Sequence, residues 1–171
     1  MKNSKPEVWL RGPLPNIPLL LQPAAHALLQ SSEEVERYLL NFPKDQLWTK
    51  IAGHASVGFH LQHITGVLDR MITYAKSEPL SDLQFDYLSK EGQLNDGITT
   101  TELVKAFQHK VEEALSFFKT LDEDTLKETR TVGRKKLPST TLGLLFHAAE
   151  HSQRHVGQLL VTISILTLSK D

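Results

Sequence analysis

Apolar positions recur at helical spacing along most of the chain, and polar punctuation divides them into four long segments. Over residues 18–40, Leu20, Ala24, Ala27, Leu28, Val35 and Leu39 return at intervals that line up one face of an α-helix. Pro23 fits this reading only near the helix start, where its missing N–H breaks no intrahelical bond. A second segment opens at Ser56, whose hydroxyl suits an N-cap, and runs through Phe59, Ile64, Val67, Leu68, Met71 and Ile72 to Ala75. In it His60 and His63 replace core-facing apolar residues. Residues 79–97 are polar and broken by Pro and Gly, which predicts a loop with one short turn around residues 82–88. Thr99 and Glu102 form a capping-box pattern ahead of Leu103, Phe107, Val111, Leu115 and Phe118, a third helix ending near Leu121.

Residues 129–138 carry Arg130, Arg134, Lys135 and Lys136 around Gly133 and predict a short hairpin. Pro138, Ser139 and Thr140 then signal helix entry, and the apolar pattern continues to about Leu166 past Gly143 and Gly157. The opening Trp9-Leu10-Arg11-Gly12-Pro13-Leu14-Pro15 predicts an extended strap lying across the surface. Four amphipathic segments, without a set of strands or an internal repeat, predict one all-α domain over residues 1–171. Its expected form is a four-helix bundle with a long crossover and an extended N-terminal segment.

Composition narrows the chemistry. At 171 residues the chain can bury one sizeable core without disulfides. Its 19 basic and 20 acidic residues are interspersed and leave a net charge of -1, so no nucleic-acid partner is expected. The Arg134-Lys135-Lys136 run reads as a solvated turn. There is no cysteine, which excludes disulfides, thiolate ligands and a protein thiol nucleophile; any metal chemistry must rest on His, Asp and Glu. The apolar run over residues 159–168 is too short to cross a hydrocarbon layer of roughly 30 Å, and no membrane partner is expected. Lys2 and Lys5 are followed by Pro6, Glu7, Arg11, Pro13, Pro15 and Pro18, which interrupt the apolar stretch a signal peptide needs and point to a cytoplasmic protein. Trp9 and Trp48 read as packing anchors.

The densest chemistry lies in His147-Ala-Ala-Glu150-His151-Ser-Gln-Arg154-His155. Each step of four residues turns a helix by only about 40°, so His147, His151 and His155 form one stripe. Gln158 shares it, at about -20° from His151, whereas Arg154 falls at about -60° and Glu150 at about -100°. Imidazoles at i and i+4 can share a metal ion, but a further ligand must come from elsewhere. The other dense histidine segment is Gly58-Phe59-His60-Leu61-Gln62-His63-Ile64. There Arg70 lies about -20° from His63 and His60 about +60°, while Asp69 points away at about -120°. Five imidazoles buried together without a cation would strand donors and acceptors, so the pattern favours metal binding over a merely hydrogen-bonded core.

His63 within His-Leu-Gln-His-Ile-Thr-Gly-Val-Leu-Asp-Arg, together with His-Ser-Gln-Arg-His-Val-Gly-Gln, resembles the two signature segments of the DinB-like superfamily. The resemblance spans most of the chain. It implies a four-helix bundle in which one histidine of the second helix and two of the last bind a divalent metal, zinc or nickel foremost. On that pattern His63 is the single ligand, and His151 and His155 are the pair. Where members often carry arginine, this chain has Val156. His60 and His147 lie outside the pattern and read as hydrogen-bonding neighbours or second-choice ligands.

Relatives of this kind include thiol S-transferases that use a low-molecular-weight thiol, hydrolases and isomerases. The resemblance implies a metal-binding scaffold and no single reaction. One expectation is a metal-dependent transferase of a small thiol, in which the wheel positions would let Arg70 hold a carboxylate of the thiol and Gln158 bond a ligand. Alternatively the chain is a metal-dependent hydrolase with Glu150 or His147 as base. A third reading is a non-enzymatic, metal-stabilised interaction bundle, a homodimer joined through the N-terminal strap and the apolar last helix. A fourth protein ligand such as His60 or His147 would favour that structural role.

Overall fold

The computed structural model describes residues 5–168; Lys2, invoked above for the N-terminal segment, lies outside them. Among the described residues the fold is mostly helical, with six α-helices and one two-stranded sheet. The elements are α1 (Gln22–Tyr38), α2 (Val57–Ala75), α3 (Asp82–Lys90), α4 (Thr100–Phe118), α5 (Glu123–Lys127), β1 (Thr129–Val132), β2 (Leu137–Thr140) and α6 (Thr141–Leu168).

Local chemistry explains the boundaries. Pro23 sits in the first turn of α1, and a short 3-10 turn at Leu19–Leu21 precedes it, so the α-helix starts later than the apolar pattern indicates. Ser56 caps α2 by accepting from the Phe59 N–H at 3.2 Å. Thr99 and Glu102 close the expected capping box at the start of α4. The same motif, Ser81 with Gln84, opens α3, a nine-residue helix where the sequence reading allows only a short turn. Asp122 caps α5, which that reading misses.

The hairpin forms as antiparallel β1 and β2, with Thr129 paired to Thr140 and Val132 to Leu137. Pro138 belongs to β2 rather than to a helix entry, which a two-stranded sheet tolerates because one side of each strand needs no N–H. The Thr141 N–H bonds the Glu128 carbonyl at 3.0 Å, and α6 departs directly from the hairpin.

The four long helices pack on one another: α6 lies against α1 and α2, and α4 against the same two. One apolar cluster joins them, with Leu28 and Val35 of α1, Leu61, Ile64 and Leu68 of α2, Phe107 and Phe118 of α4, and Leu145 and Leu159 of α6 all fully buried. Val156 is part of this core.

The N-terminal strap lies over α1, where the Val8 N–H bonds Gln30 and Arg11 pairs with Glu33, but it carries a 3-10 turn at Val8–Arg11 instead of being extended throughout. Trp9 is exposed, its indole N–H donating to Glu7 of the same strap, so it is no packing anchor. Trp48 is one: its ring covers Gly58, where a Cβ would stand 2.6 Å from it. No helix of the described residues is long and apolar enough to cross a membrane.

Candidate metal centre

Rotation of α6 about its axis decides which of its side chains face α2. The Gln153 amide donates to the Ala27 carbonyl at 2.9 Å and to the Ser31 hydroxyl at 2.8 Å, tying one side of α6 to α1. His151 and His155, two residues either way, therefore point to the opposite side, toward α2. There the Nε2 atoms of His63 and His151 are 3.0 Å apart. The ring centres of His63 and His155 are 4.6 Å apart, and those of His151 and His155 4.5 Å. One ring nitrogen from each of His63, His151 and His155 lies within 4.8 Å of the other two.

The fit to a cation can be tested on these distances. Two nitrogens held at about 2.0–2.1 Å by one ion stand roughly 2.9 Å apart at a right angle and roughly 3.4 Å apart at the tetrahedral angle. The His63–His151 separation falls in that interval. The protonation state fits as well. Burial, then the nearby His63 charge, lowers His60 to about 4, and burial followed by His63, His147 and Arg154 lowers His151 to about 4. His155 is lowered to about 3, first by burial and then by His63, His151 and His60. These rings are neutral at pH 7, the form that offers a lone pair.

Each ring has different support. His63 Nδ1 lies 2.6 Å from Glu91 Oε2, and the other carboxylate oxygen of Glu91 accepts from Arg70 Nη1 at 2.7 Å. Both side chains of that ion pair are nearly fully buried, Glu91 at 5% and Arg70 at 8% exposure. Phe59 stacks on His63, with ring centres 5.1 Å apart and planes 13° from parallel. His155 Nδ1 meets His60 Nδ1 at 2.9 Å, which leaves Nε2 of His155 for a ligand bond. His151 Nδ1 is buried without a partner, an arrangement that costs about 1–3 kcal/mol and that packing alone would not favour.

The structure thus brings His63, His151 and His155 together, with His60 as a hydrogen-bonding neighbour behind His155. The remaining expected site residues stand elsewhere. Arg70 does not face an open cleft to hold a substrate carboxylate; Glu91 occupies its guanidinium. Glu150 is bound twice by Arg154, at 2.6 and 2.7 Å, and once by His147 Nδ1 at 2.8 Å. A base so engaged is poorly placed, and Arg154 holds its carboxyl below the usual range. His147 and Glu150 also group with His151 as a second possible cation cluster, but the Arg154 charge beside it opposes a cation. Gln158 is exposed and lines a pocket of about 400 Å³ with Ile51, Ala55, Val161 and the inner residue His60.

Glu91 was not among the sequence candidates. Helical-wheel reasoning covers only helices, and Glu91 is the C-cap of α3 in a stretch read as loop. The one available signal was the Ser81–Gln84 capping box, which makes the segment a helix ending at this acid.

A sequence model of the DinB superfamily matches residues 27–159, and the chain belongs to that superfamily. The fold agrees: a crystal structure of a protein from Streptococcus pneumoniae superposes with a TM-score of 0.60 at 11% identity, covering 84% of this chain and 88% of that one. No curated protein matches the chain.

Proposed function

We propose that the protein is a metal-dependent enzyme that transfers a low-molecular-weight thiol to a small electrophile, with a divalent ion, zinc or nickel foremost, held by His63, His151 and His155. In this reading residues 1–171 are one four-helix bundle of α1, α2, α4 and α6, with α3 in the long α2–α4 crossover. The observation that carries the metal is the convergence of three imidazoles from two helices, with the His63 and His151 Nε2 atoms 3.0 Å apart. When bound, an ion with positions not taken by protein would lower the pKa of a coordinated thiol, supplying the nucleophile that a chain without cysteine lacks. His60 and Phe59 border the ligand rings and restrict water around them. His60 also opens onto the pocket lined by Ile51, Ala55, Val161 and Gln158, a largely apolar recess for the acceptor.

Hydrolysis ranks below transfer because the carboxylate expected as base, Glu150, is claimed by Arg154. The test is metal analysis of the purified chain beside His63→Ala and His151→Ala, followed by assays of small thiols with electrophilic acceptors. Stoichiometric metal lost from both variants, and turnover only with thiol, is the expected result. Metal retained by both overturns the ligand set, turnover without thiol replaces transferase by hydrolase, and metal binding without turnover favours the non-enzymatic bundle.

A further inference from the structure

The segment between α2 and α4 has no place in the proposed reaction, yet it is clamped onto α2 beside His63. The Gly92 N–H bonds Gln62 Oε1 at 2.8 Å, and the Tyr87 hydroxyl donates to the Gln62 carbonyl at 3.1 Å. Gly92 has φ +78°, and a Cβ there would stand 2.8 Å from the Phe59 ring. Gly66 leaves the space in which the Glu91–Arg70 pair lies: a Cβ on it would meet Glu91 Oε1 at 2.5 Å and Arg70 Nη1 at 2.7 Å. All of these contacts converge on one result, a carboxylate delivered to His63 Nδ1 in a nearly water-free position.

We infer that Glu91 is a positioning residue for the metal ligand His63, and that Arg70 acts through Glu91 rather than on substrate. This rests on the metal-centre reading above. A carboxylate accepting from Nδ1–H holds the imidazole as the tautomer whose lone pair is on Nε2, fixes the ring's rotation and raises its basicity as a ligand. Arg70 anchors the second carboxylate oxygen, so the carboxylate stays aimed at the ring and its buried charge is balanced. Neither residue touches the ion or the substrate.

The test is zinc affinity by competition with a chromophoric chelator, on the native chain, Glu91→Gln, Arg70→Gln and Asp69→Asn. Asp69 binds Gln84 of α3 at 2.6 Å and Lys110 of α4 at 2.8 Å, so Asp69→Asn loosens the same segment without touching His63. We expect Glu91→Gln to weaken zinc about 10- to 100-fold. Arg70→Gln should weaken it less, with no further loss when added to Glu91→Gln, and Asp69→Asn should leave it within about twofold. Equal zinc binding by Glu91→Gln and the native chain overturns the inference, as does an Asp69→Asn loss as large as that of Glu91→Gln. Should Glu91→Gln not fold, long-range 15N–1H spectra of the zinc-loaded native chain decide. Nδ1–H on His63 supports the role, and zinc on Nδ1 overturns it. A native chain that binds no zinc, nickel or other divalent ion fails the parent reading, an outcome visible before any variant is made.

Discussion

The inner and outer sides of α6 around His151 carry the same residue types with opposite results. On the inner side, His151 and His155 meet His63 and His60 of α2 in a largely buried cluster, and the buried Glu91–Arg70 pair closes behind His63. On the outer side, His147, Glu150 and Arg154 satisfy one another at the surface. What differs is the element opposite. An imidazole is prepared as a ligand when packing strips much of its water and no carboxylate of its own helix bonds it. His147, half-exposed and paired with Glu150, fails both conditions.

The sharpest way to break this comparison is to remove one imidazole from each side. His63→Ala or His155→Ala should cost more zinc affinity than the about 10- to 100-fold expected from losing Glu91, read by chelator competition. His147→Ala serves as the opposite arm, and parity between the two sides would move the centre outward.

A second test overfills the inner side. Gly66→Ala pushes a methyl into half-buried Tyr87 and into the buried, mutually bonded Glu91 and Arg70, which cannot yield without parting their ion pair. We expect about 1–3 kcal/mol of destabilisation by urea unfolding, with weakened zinc binding alongside. Unchanged stability and affinity would mean that the pair has room to move and holds nothing in place.

Acidification separates the sides without mutation. His60 and His151 lie at about 4 and His155 at about 3, below the ordinary 6.5 expected of the unfolded chain. As pH falls, the unfolded chain takes up protons first, so these three groups cost stability progressively from around the ordinary 6.5 down through about 4 for His60 and His151 and about 3 for His155, and contribute little slope well above 6.5. The urea midpoint of metal-free protein should therefore be lower at pH 5 than at pH 7.5, and zinc should suppress part of that loss at pH 6 by holding the rings neutral. A flat midpoint would show that water reaches the cluster. The smallest effects belong to the outer side: His147→Ala and Glu150→Gln should change stability by no more than about 0.5 kcal/mol and zinc affinity by less than about twofold.

Legibility in the sequence followed the same division. The long helices and the histidine stripe were readable because helical period is a local property, and His151 and His155 share a face however the chain folds. Arg70 was correctly placed on the side of α2 that bears His63, but its partner was not readable, since a wheel gives direction and not company. Glu91 was hidden by polarity that resembled a loop, and Trp9 misled because an aromatic residue does not reveal whether anything lies over it.

By itself, the amino-acid sequence determined the four long helices, their capping at Ser56 and Thr99, membership of the superfamily and the two histidine segments, all of which depend on spacing within one stretch of chain. Only the tertiary structure decided that His63 meets His151, that His60 stands behind His155, and that a carboxylate 28 residues away braces His63. Those choices depend on how α6 is rotated against α1 and on which side chains lose water, and both are set by packing among elements far apart in the chain.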